Sequence, residues 1–163
     1  AAKRQAARIA NPLARIAVIG VALSVALLAL WQGRYAGLGT NLISASFSGE
    51  GATSIFAWDW ALKFALTVAT LAAGYQGGEV TPLFSIGASL GVVLAGALGL
   101  PLELTAALGY AAVFGGATNT MLAPILIGGE VFGFENLPAF FVVCAVGYLV
   151  NGNRSIYTGQ TRI

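Results

Sequence analysis

Charged positions cut this chain into long apolar stretches, and the spacing of those stretches predicts its elements. Residues 16–31 carry no charge, and with 13–15 they approach the about 20 residues that a membrane-spanning helix needs. A glycine-punctuated stretch follows, GRYAGLGTNLISASFSGEG at 33–51, too polar and too short to span alone. From Ser54 to Ala73 a second spanning candidate carries Asp59 and Lys63, whose i,i+4 spacing lets them neutralise each other. Between Glu79 and Glu103 lie 23 residues without a charge, and between Glu103 and Glu130 another 26. Neither reads as one clean helix. The first has Pro82 just inside a helix start and closes at Gly99 and Pro101. The second is broken by Gly115, Gly116, Asn119 and Pro124 into two pieces too short to cross a bilayer fully. The run 136–150 is also short and is stopped by NGNR. The pattern predicts helices near 13–31, 40–47, 56–73, 81–98, 103–116, 121–133 and 137–150, with a short one from 156.

Composition makes this a membrane pattern. Hydrophobic residues are 58% of the 163, charged residues only 9%, and the mean hydropathy is +0.84. A soluble domain carries about 25% charged residues, so a soluble monomer is excluded, and disorder with it. The net charge of +2 leaves no basic patch able to track nucleic acid. With no histidine, histidine triads, histidine proton shuttles and most zinc sites are out of reach. No nucleophile–base pair or metal set can be assembled, so neither an enzyme nor a cofactor is expected. Cys144, the single cysteine, lies in FFVVCAVGYLV and reads as a packing residue. The 22 glycines exceed the share of about 7% in an average protein and suit close helix contact in lipid.

The first residue is Ala, which reads as a processed product or a piece of a longer chain. The opening AAKRQAARIANPLAR could pass for a signal peptide, but the apolar run behind it is longer than a typical h-region, and more membrane segments follow. Residues 1–12 read as a cytoplasmic linker and 13–163 as the transmembrane part. Lys3, Arg4, Arg8 and Arg15 precede the first span with no acidic residue among them, which places the amino terminus in the cytoplasm. Interrupted helices at membrane depth are tolerated where backbone lines a cavity, and half-helix ends aimed at an ion are typical of secondary transporters.

The candidate chemistry concentrates in GYQGGEVTPLF at 74–84. Gly77 and Gly78 allow a tight approach, Pro82 preorganises the first helical turn, and the free N–H groups of that turn form an anion site aided by the helix dipole. Glu79 and Thr81 add a carboxyl and a hydroxyl at the same place. A helix start with a favourable acid and a cap accounts for the same residues. An intramembrane carboxyl, costly without a use, favours the ion-handling reading. Near the end, NGNRSIYTGQ at 151–160 presents Tyr157, either an interfacial aromatic or a phenolic donor to an ion path.

These segments together resemble the CLC family of chloride channels and proton-coupled antiporters. GGEVTP at 77–82 followed by GASLG at 87–91 is similar to the family's GGIFAP signature, and GLGTNLI at 37–43 to its glycine-rich loop and FNLI helix. APILIGGE at 123–130 is similar to its RAPLT…E segment, with Leu122 where arginine is frequent, and Tyr157 falls where its central pore tyrosine is expected. Glu-Val-Thr in place of Ile-Phe-Ala is similar to the CLC-F branch of bacterial fluoride/proton antiporters.

The resemblance implies an all-α integral membrane protein of CLC type, holding most of the second inverted repeat as short, tilted, interrupted helices. The backbone of Gly78, Glu79 and Val80 would face the anion, Thr81 and Tyr157 would donate hydroxyls, and Glu79 would be the proton-coupling candidate. Fluoride, small and strongly hydrated, needs close, strong donors. The family's GREG-like gating motif is absent, so the amino-terminal half of a subunit is the missing partner. Fluoride or chloride, protons and the bilayer are the other implied partners, together with a homodimer mate through Met121–Phe134 and Leu137–Val150, where Ile125, Ile127, Phe140 and Phe141 would pack. The expected location is the plasma (inner) membrane. Two alternatives are a CLC chloride channel or chloride/proton exchanger and, from another class, a non-transporting membrane scaffold.

Overall fold

The computed structural model describes residues 33–49, 51–73 and 77–157, and the isolated positions 16, 19, 20 and 22, all four helical. The rest of the helix expected over 13–31, and the linker 1–12, lie outside the described residues. Among the described residues every regular element is helical: α1 Thr40–Ser46, α2 Gly51–Ser54, α3 Asp59–Ala73, α4 Val80–Leu98, α5 Leu102–Thr118, α6 Leu122–Phe132, a 3₁₀ turn Phe134–Asn136, and α7 Leu137–Val150. At 1.5 Å per residue, the 19 residues of α4 reach roughly 28 Å, close to the hydrocarbon thickness of about 30 Å. The 11 residues of α6 and 14 of α7 fall well short.

The α4–α5 hairpin is the spine. Gly99 takes a left-handed conformation (φ 67°) at the end of α4, and Leu100 N–H donates back to the Ala95 carbonyl, so the chain reverses tightly before Pro101. The two helices then touch backbone to backbone. A Cβ built on Gly87 would run into the Gly109 carbonyl, one on Gly109 into the Gly87 carbonyl, and one on Gly91 into the Thr105 carbonyl, all closer than real Cβ atoms approach. Small residues at these crossings permit the contact that packs helices in lipid, where no hydrophobic effect separates helix from solvent. A ladder of rings extends the spine sideways. Phe84 stacks on Tyr110 with centroids 4.0 Å apart, Tyr110 meets Phe132 edge-on at 5.3 Å, and Phe132 lies 6.3 Å from Phe140.

Four expectations need correction. Gly115 and Gly116 do not break the second apolar region. They lie inside α5, and the break comes at Asn119, left-handed at φ 55°. Gly115 is small because Pro124 of α6 seats on it, a Cβ there standing 2.8 Å from Pro124 Cγ. α3 starts at Asp59 rather than 56, since residues 56–58 form a turn closed by Asp59 N–H on the Phe56 carbonyl at 3.0 Å. Residues 156–157 form a bend, not the start of a helix, and 158–163 lie outside the described residues. Ile125 and Phe140 face inward, clustered with Ala107, Ala111 and Cys144, and so are not available to a second subunit. Phe140 is held there by Gly128, whose missing side chain its ring occupies. The outward apolar residues of these segments include Leu122, Leu126, Phe141, Val142, Val146 and Leu149.

Gly87→Ala forces a Cβ into the Gly109 backbone and should destabilise the fold by about 1–3 kcal/mol. Gly96→Ala, with no neighbour within 4 Å, should instead be neutral or gain up to about 1 kcal/mol of helix propensity. Denaturant unfolding in detergent checks the pair, and equal effects at both positions would contradict the hairpin packing.

Candidate anion-binding site

α4 begins with its backbone donors uncovered. Its first helical hydrogen bond is Leu83 N–H to the Glu79 carbonyl at 3.4 Å, and no side chain caps the turn. Pro82 has no N–H to satisfy. The N–H groups of Glu79, Val80 and Thr81 therefore have no acceptor among the described residues, and the positive end of the helix dipole coincides with them. Gly77 and Gly78 are exposed and avoid the left-handed region, so their contribution is bare backbone beside those donors rather than a special turn. Glu79, Val80 and Thr81 are half-buried. The rest of the motif, Gly74–Gln76, lies outside the described residues. One turn on, two buried hydroxyls satisfy the helix's own carbonyls, Ser85 Oγ donating to Pro82 O at 2.9 Å and Ser89 Oγ to Ser85 O at 2.7 Å.

Tyr157 is in the bend after α7, with an exposed side chain. The segment that carries it is tied to the end of α5. Ile156 N–H donates to Ala117 O at 2.9 Å and Ser155 Oγ to Thr118 O at 3.2 Å. Side-chain amides complete the anchorage, with Asn119 donating to Asn153 at 2.9 Å and Asn151 donating to Asn119 at 3.3 Å. Because α4 and α5 run antiparallel, the end of α5 and the start of α4 lie at the same end of the hairpin. Gly78–Thr81 and the tether of Tyr157 thus share that end, although no hydrogen bond among the described residues joins Tyr157 to the helix start.

The feature that sequence spacing did not resolve is what lies behind the helix start. Asp59 and Lys63, 0% and 3% exposed, share one face of α3 as i,i+4 spacing requires, but they do not pair with each other. Asp59 accepts from Arg34 in an ion pair, from the Tyr35 hydroxyl at 2.5 Å and from Phe56 N–H at 2.9 Å. Arg34 also donates to the Ser54 carbonyl and lies 5.0 Å over the Phe56 ring. Lys63 Nζ donates to the carbonyls of Tyr35 at 2.9 Å and Gly37 at 2.8 Å. Both buried charges are thus spent on the loop 33–39. Burial, and the carboxylate that accepts its proton, push the Tyr35 phenol up to about 12, so it remains a donor at neutral pH.

That loop touches α4. Gly39 takes φ 86° to start α1, and a Cβ on it would collide with Ser85 Oγ and stand 2.8 Å from Lys63 Cε. Leu38 reaches Gly78, where a Cβ would meet Leu38 Cδ2 at 3.6 Å. The repeated glycines of GRYAGLG were legible as a loop. Their charged anchors, some 25 residues downstream, were not.

Comparison with known proteins bears out the resemblance. Residues 1–152 match the family described as voltage gated chloride channel. A chloride/fluoride channel protein of Pseudomonas syringae pv. tomato is 46% identical over 127 residues, covering 78% of this chain and 27% of that relative. The fold is similar to the crystal structure of a CLC-type fluoride/proton antiporter, with TM-score 0.91 and 58% identity, covering 98% of this chain and 40% of that one. The chain therefore spans less than half the length of each.

Asp59→Asn leaves the Arg34 guanidinium beside a neutral amide in a largely buried site and should cost about 3 kcal/mol. Tyr35→Phe removes one neutral donor to the same carboxylate and should cost about 1–2 kcal/mol. Unfolding of the two variants in detergent ranks them, and an Asp59→Asn protein as stable as the parent would contradict the ion-pair geometry.

Proposed function

This chain belongs to the voltage gated chloride channel (CLC) family, and we propose that it forms the second inverted half of a domain exchanging fluoride for protons. Such a protein is membrane-embedded and multi-pass. Transport without chemical transformation is the whole activity proposed, and no cofactor takes part. The observation that carries the reading is the start of α4, where the N–H groups of Glu79, Val80 and Thr81 have no acceptor among the described residues and the same turn carries a threonine and a glutamate in sequence. Support comes from 58% identity to a chain described as a fluoride/proton antiporter. In this reading the N–H groups of Gly78–Thr81 and the hydroxyls of Thr81 and Tyr157 replace fluoride's water, and Glu79 carries the coupled proton. Fluoride, with its charge concentrated on a small ion, gains more from such donors than chloride does. The second reading, chloride transport, has one observation in its favour, the name of the Pseudomonas syringae relative, which joins both ions.

The remaining parts of the proposal concern placement. The four basic residues Lys3, Arg4, Arg8 and Arg15 favour a cytoplasmic start to this segment, in the inner membrane. The apolar residues that α6 and α7 turn outward, Leu122, Leu126, Phe141, Val146 and Leu149, suit a homodimer mate within Met121–Phe134 and Leu137–Val150. The missing first half of the subunit supplies the other pore wall.

In the full-length transporter that carries this chain, Thr81→Ala and Tyr157→Phe should each weaken fluoride binding by about 1–3 kcal/mol, or about 5- to 150-fold. Glu79→Gln keeps the shape but not the titration, and should reduce coupled turnover more than binding. Parallel fluoride and proton fluxes in liposomes measure all three, and parental fluxes throughout would refute the assignment.

Oxidative crosslinking tests the dimer. Leu126→Cys should give a covalent dimer, whereas native Cys144, 2% exposed, should give none. Monomer alone from Leu126→Cys would contradict the interface.

A further inference from the structure

Lys63 is a buried ammonium on a helix that contributes nothing to the proposed ion site, yet it is committed to neither a carboxylate nor solvent. Its nearest acid in sequence, Asp59, is held by Arg34, Tyr35 and Phe56. Lys63 instead spends its charge on two backbone carbonyls, Tyr35 O at 2.9 Å and Gly37 O at 2.8 Å, on either side of one residue of the loop. Holding an ammonium away from water is costly unless its hydrogen bonds are replaced. A loop that needed only to be closed could be closed by backbone turns, as Ala36 N–H to Gly33 O at 2.9 Å already does. Beyond the gripped carbonyls, the loop runs directly onto α4. Leu38 Cδ2 stands 3.6 Å from where a Cβ on Gly78 would be, and Gly39 is wedged between the Lys63 stem and Ser85 so closely that no side chain fits.

We propose that Lys63 is a positioning residue for the anion site: by gripping Tyr35 and Gly37 it seats Leu38 and Gly39 against α4, and so fixes where the donors of Glu79–Thr81 point. The proposal rests on the reading of the α4 start as the site. The physical reason is that fluoride has no shape to be recognised by and demands short bonds, so a small tilt of one turn lengthens several at once. Gly77 and Gly78 have no side chains with which to resist such a tilt, and no capping bond restrains Glu79. The restraint comes from the loop, where Asp59 holds the side chains of Arg34 and Tyr35 and Lys63 holds the backbone next to Leu38 and Gly39.

The test uses the full-length protein in liposomes, with fluoride as the probe and flux recorded against its concentration. Lys63→Met keeps the stem and removes the donors. Leu38→Ala removes the loop's contact with Gly78 at a residue that is 45% exposed and outside the binding machinery, so the fold should survive it. The half-saturating fluoride concentration should rise about tenfold or more in Lys63→Met and several-fold in Leu38→Ala, with Lys63→Arg recovering part of the loss. A merely structural lysine would lower the amount of active protein, and hence the maximal flux, without moving half-saturation. If Lys63→Met does not fold, Leu38→Ala decides. Thr81→Ala, measured alongside, separates the two claims. Weakened binding there with parental half-saturation in Lys63→Met and Leu38→Ala overturns the positioning role and leaves the site. No change in Thr81→Ala overturns the site and the positioning role together.

Discussion

Two charged side chains without access to solvent, Asp59 and Lys63, hold the arrangement on which the candidate site depends. Each would be prohibitive in an apolar surrounding if left alone. Asp59 is matched by a guanidinium, a phenol and a backbone N–H, and Lys63 by two carbonyls, so the donors and acceptors of loop 33–39 are absorbed by one turn of α3. The loop, in turn, is what α4 leans on at its first turns. A polar network of this kind is only stable when complete, which makes the geometry of the loop specific rather than merely compact.

The rest of the fold serves the same end by another means. α4 and α5 are locked by glycines whose hydrogens face the opposing backbone, and Phe84, Tyr110, Phe132 and Phe140 carry that rigidity across to α6 and α7. The left-handed Asn119 then turns the chain from α5 into α6, and its side chain joins the amide cluster that anchors the segment ahead of Tyr157. Two tethers therefore converge on one end of the hairpin, one charged and one built of neutral amides.

Much of this was readable from residues. α7 runs over the expected 137–150, and α4 and α6 start or end within a residue of expectation, because proline, glycine and charge punctuate an otherwise uniform apolar chain. Gly115 and Gly116 misled for a related reason. Glycine marks a break when a helix must end, but here it marks a close approach by Pro124, and sequence alone does not distinguish the two. The candidate residues Gly78–Thr81 stood out because titratable and hydroxyl groups are scarce in such a chain. The partners of Asp59 and Lys63 did not, since local spacing sees the i,i+4 neighbour and not a loop 25 residues upstream. The short helix Gly51–Ser54 and the 3₁₀ turn Phe134–Asn136 were missed as well, being too brief to carry a period.

The central claim is that the first-turn amides of α4 are the anion's ligands. Residue-resolved amide hydrogen exchange on the full-length protein, with fluoride and without, measures those groups themselves. Fluoride should slow exchange at Glu79, Val80 and Thr81, where no acceptor competes among the described residues, and leave the amides of the α5–α6 turn unchanged. Unaltered exchange at 79–81 under saturating fluoride, with protection arising elsewhere in the chain, would contradict it.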